Sequence, residues 1–362
     1  MPMKNRLQIL FIILIMLGVL VSCSSCSPTY IMRGAYEEAK ILARRQDIDR
    51  ILHDRSASDD ELRKLQLVKD ARLFTLTMGL TPRNSFTKYT RIDKDVLTWV
   101  VMGCRPDSFI IRGWWYPIVG SLPYKGYFDR SDADKEALDL QSEGYETWVR
   151  GSEAFSTLGW FNDPVLTPTL KQPEYRIANT VIHETTHATV WIPNNVPFNE
   201  SLANFVGTQG AVEFFAQALK TCSADAACVE RQQSLLRAAQ RSKEAGFQIA
   251  GAVEHLYQDL NLLYNSSSSH AEKLARRNEI FKKHIDPLHA AYPRMEALQS
   301  INNAEIMQLV IYMTSIADFE KLFQALNQDW KAFFDKMREI AKKSGADATR
   351  DPFAELRAMT PP

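Results

Sequence analysis

Apolar positions along this chain fall into three regimes. From about 30 to 80 they recur every three or four residues: Ile31, Ala35, Ala39 and Leu42, then Leu62, Leu65, Val68 and Leu73. That period keeps one side of a helix apolar and predicts two helices, with the polar stretch 55–60 as the break between them. From about 86 to 170 the period disappears. Runs such as "VLTWVVMG" and "FIIRGWWYPIVG" are rich in β-branched and aromatic residues and interrupted by Gly and Pro, which predicts short strands and turns. From 174 to the C-terminus helical spacing returns and dominates. No internal repeat and no linker-like stretch divides these regimes. The expectation is therefore a single α+β domain over 23–362, helix-dominated, with a small mixed β-sheet.

The first 22 residues follow a different rule. Lys4 and Arg6 precede an apolar run over 7–17, broken once by Gln8, and small residues follow. This is the layout of a secretory signal, too short to span a bilayer. Its end, "LVSC" at 20–23, resembles the lipobox of bacterial lipoproteins. The resemblance implies acylation of Cys23 and attachment to a membrane through several acyl chains. Ser24, rather than Asp, after the cysteine implies the outer membrane, with the protein facing the periplasm. Cysteine use agrees with an oxidising compartment. Cys222 and Cys228 lie close together in "TCSADAAC", a turn-prone segment suited to a disulfide. Cys104 reads as a small buried hydrophobe. Charge narrows the partners: 43 basic against 43 acidic side chains leaves no excess of positive charge, which excludes nucleic acid as the main one.

The chemistry concentrates in "VIHETTHATVWIPNNVPFNESLANFVG" (181–207). If 181–191 is helical, His183 and His187 stand one turn apart on one face and reach a single ion. Glu184 lies about 100° round the axis, beside the ligands, where it can take a proton from a metal-bound water. A catalytic zinc needs three protein ligands and one open position. "PNNVP" (193–197) predicts a turn, and Asn199 an N-cap for a second helix beginning at Glu200. A hairpin of two helices returns Glu200 over the histidines as the third ligand. Ala203 and Gly207 follow on its face, small enough for close approach.

HExxH followed by N-E-x-x-A resembles the gluzincin metallopeptidases. More widely, "LPYKGYFD" (122–129), "AFSTLGWFNDPVL" (154–166), "VIHETTHATVW" and "FNESLANFVG" together resemble the bacterial family of predicted zinc aminopeptidases. The resemblance implies a zincin-like fold, one zinc ion on His183, His187 and Glu200, Glu184 as general base, and a peptide or unfolded protein as substrate. It implies aminopeptidase action; the G-x-M-E-N segment that holds a substrate amine in well-characterised gluzincin aminopeptidases does not precede the zinc helix, so endopeptidase action stands as the alternative.

Other residues offer weaker signals. "AFSTLGWF" is placed to be the sheet edge on which a peptide adds as a strand. A donor to the developing oxyanion is needed, and Tyr257, Tyr264, Tyr312 and His255 are available with no spacing that chooses among them. His53, His270, His284 and His289 read as solvated. "INNAEI" (301–306) reads as a helix N-cap rather than a substrate contact. The competing reading of the whole is a noncatalytic envelope lipoprotein that uses the zinc-helix hairpin as a structural or binding module.

Overall fold

The computed structural model describes residues 28–116, 120–152, 162–222, 225–293 and 301–360. The signal segment with Cys23, and the proposed substrate edge "AFSTLGWF", lie outside them. The N-terminal apolar period is carried by three helices rather than two: α1 (Pro28–Ala43), α2 (Ile48–Asp54) and α3 (Asp59–Thr77). The extra break falls at β1 (Gln46–Asp47), which pairs antiparallel with β2 (Lys88–Thr90). Asp47 then caps α2 by accepting from the amides of Asp49 and Arg50. The break expected at 55–60 is present. Arg55 turns left-handed (φ 46°), and Ser58 opens α3 in a reciprocal capping box with Glu61.

The middle region holds β3 (Thr98–Cys104), β4 (Trp114–Tyr116), β5 (Gly120–Leu122), β6 (Lys125–Tyr127), β7 (Glu146–Ser152) and β8 (Val165–Leu166). They form three small sheets: β1-β2-β8, β6-β3-β7 and β4-β5. A helix that strand-like composition hid, α4 (Arg130–Ser142), interrupts them. Its apolar residues are few but helically spaced. Ala133, Ala137 and Leu140 pack on Val101 and Trp114 behind β3. The opposite face of β3, bearing Met102 and Cys104, joins a separate cluster with Val196, Ala304, Met307 and Ile311. Direct pairing of Val100 with Arg150 and of Met102 with Trp148 puts Arg150 and Trp148 on that second face.

The rest is helical: α5 (Thr167–Lys171), α6 (Glu174–Thr189), α7 (Val196–Thr221), α8 (Ala226–Tyr264), α9 (His270–Ala291), α10 (Asn303–Met313), α11 (Ile316–Ala325), α12 (Trp330–Ala346) and α13 (Pro352–Met359). The molecule is thus helix-rich α+β with small sheets. The main core joins α3, α6 and α7 to α11–α13 through side chains such as Ile177, Val181, Ile182, Leu202, Phe205 and Phe319. Phe205 of α7 meets Phe319, Phe323, Trp330 and Phe333 at ring-centroid distances of 5.6–6.3 Å. Fully burying each such ring stabilises by about 1.5–3 kcal/mol, so α7 is anchored firmly at its middle. Cys222 and Cys228 are disulfide-bonded between α7 and α8, and Cys104 is free and buried. Among the described residues no helix is long and apolar enough to cross a membrane.

Candidate metal centre

The fold of 181–207 differs in detail from the expectation, and the differences explain its geometry. Helix α6 ends at Thr189 because Val190 is already extended (φ −134°, ψ 121°), so Trp191 lies beyond it. Helix α7 begins at Val196, not Glu200. Its cap is Asn195, whose side chain accepts from the Phe198 amide at 3.1 Å, with Pro197 in the first turn where a missing N–H costs nothing. Asn194, left-handed at φ 59°, makes the reversal.

Asn199 is therefore an interior helical residue with another task. It is buried, accepts from the Ile192 amide at 2.9 Å, and donates back to the Ile192 carbonyl at 2.8 Å. A buried connecting peptide must find partners within the protein, and Asn199 supplies both. The turn is thus pinned one residue before Glu200. On the same helix a Cβ at Gly207 would stand 3.0 Å from the Asn179 carbonyl oxygen and 3.1 Å from His183 Cβ. Gly210 would meet Ile182 at 3.1 Å. With buried Ala203, these small residues let α7 lie against α6 at the level of the histidines.

Glu200 then meets both imidazoles. His183 Nε2 and His187 Nε2 are 3.1 Å apart, and Glu200 Oε2 lies 3.4 Å from the first and 3.5 Å from the second. Four donors in a tetrahedron about one zinc, each bonded at about 2.0–2.1 Å, stand roughly 3.3–3.4 Å apart. The three atoms fit that spacing closely. Among the described residues this is the group of histidine, cysteine or acidic side chains placed to hold a metal ion.

Electrostatics fit a cation as well. His187 and Glu200 are 5% and 7% exposed, a depth at which unpaired charge is costly. Burial alone pushes the Glu200 carboxyl up. The charge of His187 and hydrogen bonds from both histidines outweigh it and hold the carboxyl well below the usual carboxylate range. Burial pulls His187 down, and Glu200 more than reverses this. A carboxylate so strongly biased toward its ionised form is a ready ligand. His187 Nδ1 is buried with no partner among the described residues, and Trp191 packs against that imidazole in a T-shaped contact, 5.6 Å between ring centres.

Glu184 sits beside the trio, partly exposed, with Oε2 buried and free of any hydrogen bond among the described residues. Of the tyrosines considered from sequence, Tyr312 at the end of α10 comes to this place. Ser201 donates to the Ile311 carbonyl at 3.1 Å, and Asn204 donates to that of Tyr312 at 2.9 Å. The residues following Glu200 therefore hold Tyr312 beside it. Burial first, then the negative charge of Glu200, keep the Tyr312 phenol protonated far above neutrality, with Glu184 adding and Arg150 opposing.

Tyr257 and Tyr264 go elsewhere. Tyr257 stacks on Phe109 at 4.6 Å, and Tyr264 donates to Asn303 at 2.8 Å, its phenol pushed up to about 12 chiefly by burial. His255 is exposed. His284 and His289 are corrections: both are part-buried, His284 bonded to Asp259 at 2.8 Å and His289 with its Nε2 buried, whereas His53 and His270 are exposed. Asn302 caps α10, accepting from the Glu305 amide.

Two residues near the site were not singled out as site residues from sequence. Tyr124, within the "LPYKGYFD" block, feels the charges of Tyr312, Glu200 and Glu184 once burial has raised its phenol. Arg150 donates through Nη2 to the Tyr312 hydroxyl at 3.2 Å. The pairing of β3 with β7 places Arg150, and Tyr124, just before β6, packs on the cluster with Met307 and Ile311; both lie far from 183–200 in sequence.

A family model described as "Putative aminopeptidase" matches residues 29–351. No curated protein and no solved structure matches the chain.

Proposed function

We propose, because the chain belongs to the "Putative aminopeptidase" family and converges His183, His187 and Glu200 on one point, that it hydrolyses peptide bonds with one zinc ion held by those three side chains. The carrying observation is the trio of donor atoms 3.1–3.5 Å apart, two from one helix and one from the next. A carboxylate ligand from the second helix makes this a gluzincin-type site on a zincin-like fold. Zinc held there supplies a Lewis acid that polarises a peptide carbonyl and brings the pKa of water from about 15.7 toward 7.

The chain's own groups do the rest. Glu184 Oε2, unpartnered and at the edge of the cluster, takes a proton from the attacking water and returns it to the nitrogen of the leaving amine. Tyr312 accepts from Arg150, so its own proton is free to be donated to the carbonyl oxygen as negative charge grows there. The lipobox at 20–23 supports attachment by acylated Cys23 at the periplasmic face of the outer membrane, and the Cys222–Cys228 disulfide accords with that compartment. The substrate is a peptide or an unfolded chain.

Replacing Glu184 by Gln tests the reading. The variant keeps one zinc per chain and the parent's thermal midpoint, while kcat for peptide hydrolysis falls by about 10³-fold, within the range of general-base removal. Parent-like turnover by that variant ends the assignment.

A further inference from the structure

Arg150 is the cation of this site. It stands on β7 on the face turned toward the metal helices, with Cζ 5.6 Å from the Tyr312 ring centre. It is part-buried, and its Nε is buried with no hydrogen-bond partner among the described residues. Among the described residues no carboxylate pairs with it, and its hydrogen bond goes to a neutral phenol. That is unusual, since buried arginines are nearly always matched by an anion. Arg277, also part-buried, meets Glu146, and part-buried Arg72 gives its donors to the Ser85 and Arg83 carbonyls; Arg150 differs in standing beside the metal-binding trio. A divalent ion offset by Glu184 and Glu200 would form a neutral set, leaving the Arg150 charge without a carboxylate among the described residues.

Resting on the peptidase reading above, we infer that Arg150, with the Tyr312 hydroxyl 3.2 Å from its Nη2, is a specificity subsite for a carboxylate of the substrate peptide. A guanidinium fork matches a carboxylate in shape and charge, and the neutral Tyr312 phenol beside it adds no negative charge. A substrate amine has no attraction to this group. The carboxylate belongs either to a free C-terminus close to the cleaved bond or to an acidic side chain, and the two sources are separable.

The test measures binding, not turnover. In the Glu184→Gln protein, calorimetry compares one neutral peptide as its C-terminal acid, as its C-terminal amide, and as the amide with a single Glu introduced near that end. A charge-assisted bond contributes about 1.5–3 kcal/mol, so an acid binds roughly 10- to 100-fold tighter than the neutral amide. Tightening by the free acid alone assigns the C-terminus; tightening by the Glu peptide assigns the side chain. Arg150→Met in the same background brings the acid-to-amide ratio close to one, and Arg150→Lys restores part of it. Equal binding of acid and amide, or a ratio that survives Arg150→Met, overturns the subsite. Failure of the underlying reading looks different: the parent protein with zinc then cleaves neither acid nor amide peptides.

Discussion

Two helical hairpins lie side by side in this molecule, and they are built on opposite plans. The pair α6/α7 buries polar groups where they meet: Thr185, Thr186, His187, Asn199, Glu200 and Ser201 are all nearly inaccessible. Small residues on α7 let the backbones close in. The pair α8/α9 meets through apolar side chains, burying Leu256, Leu260, Leu263, Phe281, Ile285 and Leu288. The turns differ too. The first is pinned by a buried amide, Asn199, and the second opens with a Ser269–Glu272 capping box in solvent. One hairpin spends stability to hold ligands at fixed spacing; its neighbour supplies stability with ordinary apolar packing.

This contrast is open to attack, and the largest effect comes from the apolar pair. Leu260→Ala removes a fully buried side chain between α8 and α9 and lowers unfolding free energy by about 3 kcal/mol, read from urea midpoints. Turnover per folded molecule and zinc content stay at parent values. Loss of zinc in that variant erases the division of labour between the hairpins.

Gly207→Ala strikes the polar pair. The added methyl meets a backbone oxygen at 3.0 Å and His183 Cβ at 3.1 Å, so α7 has to move. Overpacking of this kind costs about 2 kcal/mol. Here zinc affinity falls together with stability, because His183 and Glu200 ride on the two helices that separate. Zinc competition against a chromogenic chelator reads it, and unchanged affinity shows that close helix contact does not set the ligand spacing.

The smallest effect is at the entry to α6. Glu174 is 8% exposed and held by Arg63 and Arg231. Burial raises its carboxyl, but the two arginines outweigh this and hold it below the usual carboxylate range. A depressed folded pKa adds stability above the unfolded value, near 4.3 by ordinary carboxylate behaviour, and that stability is lost as pH falls through the folded pKa. Both arginines are about half exposed, which limits the contribution to about 1 kcal/mol. Glu174→Gln therefore lowers stability at pH 7, and the gap to the parent closes on acidification below pH 4. A gap that widens in acid contradicts the assignment.

The same contrast explains how much was legible in the sequence. His183, Glu184, His187 and Glu200 are readable because helical periodicity converts spacing directly into position, and a turn signal between two helices implies a return. The identity of the cap was misread because Asn195 and Asn199 are both good caps, and only the buried Ile192 peptide explains why the second was needed elsewhere. Helix α4 was missed because its buried face consists of two alanines and one leucine, a weak signal amid strand-like neighbours. Arg150 and Tyr124 were not singled out for a different reason. Strand register brings them to the site, and register depends on partners distant in sequence, which no local pattern encodes.

The central claim is that His183, His187 and Glu200 grip one zinc ion. X-ray absorption at the zinc edge, on the purified chain beginning after Cys23, tests it most directly. The account predicts one zinc per chain, bound only by nitrogen and oxygen donors at about 2.0–2.1 Å, with a light-atom neighbour lost and affinity reduced in Glu200→Ala. A chain that takes up no zinc, or a zinc site with sulfur donors that Glu200→Ala leaves unchanged, would contradict it.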